Sequence, residues 1–364
     1  MLYYLLFGLK SYFSVFNVFR YPTFRMVIAA VISFVIVYFM IPKMIKFFRQ
    51  REIGQNIRDD GPETHLKKAG TPTMGGIAML VAIITSTVLW ADYKNMYIIV
   101  SLVMTTGFGL VGFVDDLLKF KNKSSKGLSG KVRLLIEFSL VFITFGIIIK
   151  WFGFDTRLSL PFIKTEIFHP DIGYFYLILS GLVIVGTANA LNLTDGLDGL
   201  AIGPTLISAT AFLILTYGAG TVLAGFNVAE YLKIAYIDGA GELTVFIASI
   251  IGAGIGFLWY NFYPAEIFMG DVGSLSLGAA LGTVAVLIKM EFVSMIVNGL
   301  FLLEALSVIM QVVSYQTVQR RIFKMAPLHH HFEKKGWPET KVIIRFWIIA
   351  IIMAILGVAT LKLR

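Results

Sequence analysis

The sequence predicts an all-α polytopic integral membrane protein, one domain of about ten transmembrane helices over residues 1–364. Three observations carry this: 57% of the residues are hydrophobic and only 15% charged, mean hydropathy is +0.80, and apolar runs of about 20 residues recur along the chain. A helix of about 20 apolar residues spans roughly 30 Å of hydrocarbon. Lipid offers the backbone no hydrogen bonds, so such runs must be helical.

The first 22 residues are apolar and aromatic, but Lys10 interrupts them and no small-residue cleavage site follows. They read as an interfacial helix rather than a signal peptide. Ten spans follow, near 24–43, 73–91, 96–114, 133–151, 173–190, 199–218, 242–260, 272–289, 293–315 and 342–361. The eighth opens on Gly273, Ser274 and Ser276, which weakens its apolar character. Gly252 and Gly256, and Gly278 and Gly282, are small residues four apart, the ordinary signature of helix packing in a bilayer. No low-complexity linker or internal repeat divides the chain.

Charge orients these spans. The loops 44–72, 115–132 and 316–341 with their flanks hold 20 of the 31 lysines and arginines. Ten spans put those loops on one side, and the positive-inside rule makes it the cytoplasm, with both termini outside (periplasmic). The net charge of +9 is thus spread over membrane-flanking loops, which favours anionic lipid or phosphorylated substrates over nucleic acid. The remaining inner loops, 191–198 and 261–271, carry acids and almost no cations. With no cysteine in the chain, disulfides and thiolate chemistry are excluded.

The acids define candidate sites. Asp115 and Asp116 end the third span, where a pair of carboxylates opposes the helix macrodipole. Adjacent residues on a helix point about 100° apart, so the two cannot serve one role. NALNLTDGLDGL puts Asn192, Thr194, Asp195 and Asp198 in a short Gly-rich turn between spans. A helix cap needs one such residue; four beside lipid suggest a site. In NFYPAEIFMGDVGS, Asp271 stands where the eighth helix begins. It is either an N-cap or the ligand of a magnesium–diphosphate site among free backbone amides.

Two basic stretches accompany them. APLHHHFEKKGW carries His329, His330 and His331, which cannot all converge on one metal and read better as phosphate ligands. KKAGTPTMGG offers Lys68, Thr73 and the close-approach backbone of Gly75 and Gly76 to anionic oxygens. There is no Walker A loop, G-x-S-x-G elbow or H-E-x-x-H motif. The alternative class, an ion-coupled secondary transporter, would place its acids near the bilayer midplane. Here they cluster at span ends on one side, which favours an interfacial enzyme.

TPTMGG, GFVDDLLK, NLTDGLDGL, NFYPAEIFMGDVGSL and PLHHHFE, in this order, resemble the polyprenyl-phosphate N-acetylhexosamine-1-phosphate transferase superfamily. The resemblance covers the whole chain, and PLHHHFE points to its phospho-N-acetylmuramoyl-pentapeptide transferases rather than to the related UDP-N-acetylglucosamine branch. It implies ten transmembrane helices, a homodimer in the bacterial cytoplasmic (inner) membrane, a Mg2+ cofactor, and a step of peptidoglycan synthesis. UDP-N-acetylmuramoyl-pentapeptide and undecaprenyl phosphate would give lipid I and UMP. Carried onto this sequence, Asp115, Asp116, Asp271 and His330 are catalytic, with Asp271 the metal ligand. Lys68, Thr73, Asn192, Asp195, Asp198, Asn261, Phe268, Gln311, His329 and His331 line the nucleotide-sugar pocket. Either Lys131 or Arg133 supplies a further cation.

Charge neutralisation dominates such a reaction, because an anionic phosphate attacks an anionic diphosphate. A phosphate monoester with a second pKa of about 6 is largely dianionic at neutral pH. Direct attack by the lipid phosphate, aligned or deprotonated by Asp115 or Asp116, is therefore favoured over an aspartyl nucleophile with a phosphoryl-enzyme intermediate.

Overall fold

The computed structural model describes residues 1–51, 70–122, 127–163, 167–223 and 226–362. In chain order its helices are α1 (Leu2–Gly8), α2 (Pro22–Gln50), α3 (Gly76–Trp90), α4 (Met96–Lys121), α5 (Gly130–Phe152), α6 (Phe175–Thr194) and α7 (Ile202–Gly220). A two-stranded hairpin, β1 (Val222–Leu223) and β2 (Phe226–Asn227), precedes α8 (Val228–Leu232). Then come α9 (Leu243–Asn261), α10 (Gly270–Leu287), α11 (Glu291–Val297), α12 (Gly299–Val318), α13 (Leu328–Glu333) and α14 (Glu339–Ala359). Among the described residues nine helices are long and apolar enough to cross a membrane, and the shorter α3 stands at the remaining expected span. The protein is a multi-pass, all-α membrane protein.

Three expectations need correction. The stretch read as one interfacial helix folds as α1 followed by 3-10 turns at Leu9–Ser11 and Ser14–Arg20, with Gly8 and Phe13 at the joints. The ninth span is broken at Asn298, which separates α11 from α12. The second span begins three residues late, because its entry is a non-helical turn, with Met74 at φ +68°, that bonds to the segment ahead of α10. Pro72 O accepts from Phe268 N at 2.8 Å, and Gly75 N and Gly76 N donate to Phe268 O and Met269 O, each at 2.9 Å. Those glycine amides, expected to be open to anionic oxygens, are spent on this pairing, which ties α3 to the start of α10.

The core is built around α10, whose residues from Val272 to Leu287 are all buried among α3, α4, α6 and α7. Small residues make that enclosure possible. Gly278 and Gly282 lie directly against the α6 backbone at Ala188 and Ile184, and Gly252 of α9 lies against Ala30 of α2. The packing role expected of these glycines is what they have. By contrast α5 and α12 bury little of their length, as helices facing lipid do.

At the far end of the bundle, Arg25 of α2 is 1% exposed and forks onto Glu242 at 2.5 and 2.8 Å, with Trp90 O at 3.0 Å. A buried charge is tolerated only when so paired. Trp90 ends α3 and Gly76 begins it, so this clamp and the acidic residues described next stand at opposite ends of the same helix.

Candidate active site

Helix ends bring the polar residues together. Asp115 and Asp116 lie near the C-terminal end of α4, Asn192 near that of α6, and Asp271 at the second residue of α10. Asp115, Asp116 and Asp271 each offer an oxygen, and these oxygens lie within 4.8 Å of one another. Asp271 does not cap its own helix. Its Oδ1 accepts from Asn192 Nδ2 at 2.9 Å, and the same amide donates to Ser274 Oγ at 2.8 Å.

Although adjacent on the helix, Asp115 and Asp116 both reach this cluster, and each has a different backbone partner. Asp116 accepts from Val272 N at 3.1 Å and so satisfies a free amide of the first turn of α10. That amide is consequently not open to a ligand, as had been expected of this helix start. Gly270, at φ +75°, lets the chain pass this carboxylate; a Cβ there would stand 2.6 Å from Asp116 Oδ2. Asp115 instead accepts from Leu128 N at 2.7 Å, holding the turn that leads into α5.

Contrary to the expectation that these acids lack paired cations, two cations reach them. Lys119, one turn beyond Asp115 on α4, places its ammonium 2.7 Å from Asp115 Oδ2, 2.8 Å from Asp271 Oδ2 and 3.9 Å from Asp116 Oδ1. Arg133 of α5 approaches Asp271 Oδ2 at 3.7 Å. Its guanidinium is held from behind: it donates to Asn189 Oδ1 at 2.9 Å, and Asn189 donates to the fully buried Glu137 at 2.6 Å. Between the two candidate cations of this loop, Arg133 reaches the acids while Lys131 is exposed on another face of α5.

The loop after α6 is braced rather than open. Asp198, 3% exposed, accepts from Ala265 N at 3.0 Å. Asn261 accepts from Gly199 N at 3.1 Å and donates to Ile267 O at 2.8 Å, which spends both ends of its amide on backbone. Both residues lock loop 195–201 to loop 262–269. Asp195 directly follows α6; burial pushes its carboxyl up to about 8, with Asp271, Asp116 and Asp198 adding repulsion. Phe268 is half-buried near Thr73, on the backbone pairing described above.

The three histidines diverge. His329 is 1% exposed, its Nδ1 3.3 Å from Glu304 Oε1, and Glu304 also accepts from the Leu328 and His329 amides. Its other nitrogen, Nε2, abuts Gly196, next to Asp195, and makes no hydrogen bond among the described residues. His330 Nδ1 pairs with Glu333 at 2.7 Å. His331 Nδ1 accepts from Lys324 N at 3.0 Å, and burial together with Lys335 and Lys324 holds its pKa below the usual histidine range. Gln311 bonds the Ile322 and Phe323 amides and Phe323 O, so it shapes the neighbouring loop. Lys68 lies outside the described residues.

Residues 97–289, which include the three acids, match the Glycosyl transferase family 4, and residues 68–80 match the Phospho-N-acetylmuramoyl-pentapeptide-transferase signature 1. Over 365 residues the chain is 51% identical to the phospho-N-acetylmuramoyl-pentapeptide-transferase of Syntrophus aciditrophicus (strain SB), covering 100% of both chains. It is 50% identical over 380 residues to that of Anaeromyxobacter sp. (strain Fw109-5) and 51% over 365 to that of Citrifermentans bemidjiense, again covering 100% of each. The chain belongs to the phospho-N-acetylmuramoyl-pentapeptide-transferase family.

Within this transferase family member, the residues that sequence reasoning passed over are Lys119, Glu137, Asn189, Ser274 and Glu304. Two carried a readable signal: Glu137 and Glu304 are acids inside apolar spans, where an ionisable group needs a partner and a reason. Lys119 was readable in part, as the cation four residues after Asp115.

Proposed function

We propose that this protein transfers phospho-N-acetylmuramoyl-pentapeptide from its UDP carrier to undecaprenyl phosphate, forming lipid I and releasing UMP. The observation that carries the reading is the convergence of Asp115, Asp116 and Asp271 at helix ends, in a chain of this family. With 20 of the 31 lysines and arginines on loops at that end, the site faces the cytoplasm of a bacterial inner membrane and both termini face outward. The active form is a homodimer.

An oxygen of the lipid phosphate attacks the sugar-linked phosphorus of the diphosphate. A new P–O bond forms there, the bond to the bridging oxygen breaks, and UMP leaves with the electron pair. The acceptor is largely dianionic near neutral pH, so little proton removal is needed. Asp115 and Asp116 orient the acceptor and take any residual proton, while Lys119 and Arg133 offset charge on the diphosphate. Asp195, Phe268, Thr73, Lys68 and the histidine segment hold the nucleotide-sugar. Three hard carboxylate oxygens around one seated ammonium are a donor set that fits magnesium; held by Asp271, it would supply electrostatic stabilisation of the diphosphate and the departing UMP.

The test supplies purified protein with labelled UDP-N-acetylmuramoyl-pentapeptide, undecaprenyl phosphate and magnesium. Lipid I and UMP in equal amounts are the expected products. Turnover of UDP-N-acetylglucosamine alone would overturn the muramoyl assignment, and no turnover of either would overturn the transferase reading.

A further inference from the structure

The seat of Lys119 has a consequence for how the acidic site takes up a metal. Its ammonium lies between carboxylates from two helices, with oxygens of Asp115 and Asp271 at 2.7 and 2.8 Å and one of Asp116 at 3.9 Å. Those are the same three side chains that could together ligate a metal ion. A magnesium ion binds carboxylate oxygen at about 2.0–2.1 Å. An ion drawing on the Asp271 oxygen that Lys119 occupies would stand within a few ångströms of the ammonium. Two cations cannot share that space without strong repulsion, since like charges at such range are opposed even at the protein's effective dielectric.

The lysine is also built to leave. Its side chain is 30% exposed, whereas those of Asp115 and Asp116 are nearly enclosed. It stands in the last turn of α4, on a flexible four-carbon stem with three rotatable donors. Arg133, the other cation at Asp271, is held differently: within the cluster it approaches Asp271 alone, at 3.7 Å, and it is tied back to Asn189 and Glu137.

We propose that Lys119 is an exchangeable counter-ion: its ammonium fills the carboxylate cluster when no divalent metal is bound, and metal entry expels it toward the open face, where an anionic diphosphate receives it. This rests on the transferase reading only for the last step. The exchange itself is a property of the substrate-free protein. Lys119 thus offsets part of the charge of three clustered acids between turnovers and couples metal uptake to substrate uptake. By linkage, whatever draws the ammonium away tightens the metal, and the reverse.

The experiment titrates the purified, substrate-free protein with Mn2+ and reads free metal by electron paramagnetic resonance. Lys119→Met should bind Mn2+ about ten-fold more tightly than wild type, because the competing internal cation is gone. Arg133→Met removes a charge of the same sign from outside the cluster and should tighten binding by no more than about three-fold. Unchanged or weaker binding in Lys119→Met overturns the proposal, and so does equal tightening in both variants. If Lys119→Met does not elute as folded protein, Lys119→Gln replaces it. A second measurement needs no variant: acylation of Lys119 in wild type, followed by peptide mass spectrometry, should rise when Mn2+ is added. Labelling indifferent to metal would show that the ammonium does not move. Neither readout depends on lipid I formation, so failure here and failure of the transferase assignment are separable.

Discussion

Lys119 and Asp271 are 152 positions apart in the chain and 2.8 Å apart in space. That contact joins the end of α4 to the beginning of α10 and makes Asp271 part of a charged cluster rather than a cap of its own helix. Asp271→Asn should therefore abolish lipid I formation while leaving the fold intact. Asn192 Nδ2 must then face an amide oxygen, a loss of about 1 kcal/mol. Turnover at saturating magnesium and thermal unfolding in detergent check it; near-normal activity would mean the carboxylate is dispensable.

Asp116 carries a structural duty that Asp115 lacks at α10. Its acceptance from Val272 N resembles an N-cap supplied from another helix. Asp116→Ala should cost about 1–2 kcal/mol of stability and Asp116→Asn far less, since an amide oxygen can still accept. Both should lose activity. A melting temperature unchanged in the alanine variant would show that the contact contributes nothing.

The histidines should separate into two kinds. Family resemblance puts the largest catalytic loss at His330. Geometry puts the largest loss of stability at His329, because His329→Ala removes the imidazole from buried Glu304 at a cost of about 1–3 kcal/mol. His331→Ala should be mildest, since among the described residues its ring bonds the Lys324 amide and meets Phe323 and Phe332 edge-on. Measuring lipid I formation and melting temperature for the three alanine variants decides it. Equal losses in all three would mean the segment acts only as a unit.

Isotope exchange distinguishes the two chemical routes. Direct attack requires the lipid, so labelled UMP should not exchange into UDP-substrate in rigorously lipid-free protein. An aspartyl intermediate would permit that exchange and would lose it in Asp115→Asn or Asp116→Asn. With direct attack, the same variants should recover part of their activity as pH rises well above about 6, where the acceptor needs no help losing a proton.

Orientation can be read by single-cysteine labelling, with no native cysteine to interfere. A cysteine at exposed Gly336 should react with an impermeant reagent only once the cytoplasmic face is opened, and one at exposed Tyr231 should react from outside. Labelling of position 336 in intact cells would overturn the orientation.

Much of the architecture is legible in the linear chain because the bilayer imposes it. A run such as 133–151 has one way to satisfy its backbone in lipid, and α5 spans Gly130–Phe152 accordingly. Local breaks are less legible. Asn298 interrupts an otherwise apolar run, and α3 starts late because residues 72–76 pair with a segment almost 200 positions away. The acids of the site could be found as polar residues at span ends. Glu137 and Glu304 stand out as acids within apolar helices, but that they meet Asn189 and His329 is not legible, because those contacts form only across helices.

The sequence alone thus determines the membrane class, the position of the ten expected spans, the charge asymmetry and the presence of Asp115, Asp116 and Asp271 at helix ends. Periodicity, hydropathy and charge are local or additive properties, and lipid reads them segment by segment. Tertiary structure alone decides that Arg133 rather than Lys131 reaches the acids, that Asn261 and Asp198 brace loops, that His329 turns inward, and that Lys119 lies among three carboxylates from two helices. Each depends on which helix ends are packed side by side, and a hydrogen bond or ion pair acts over about 3–4 Å of space whatever the separation along the chain.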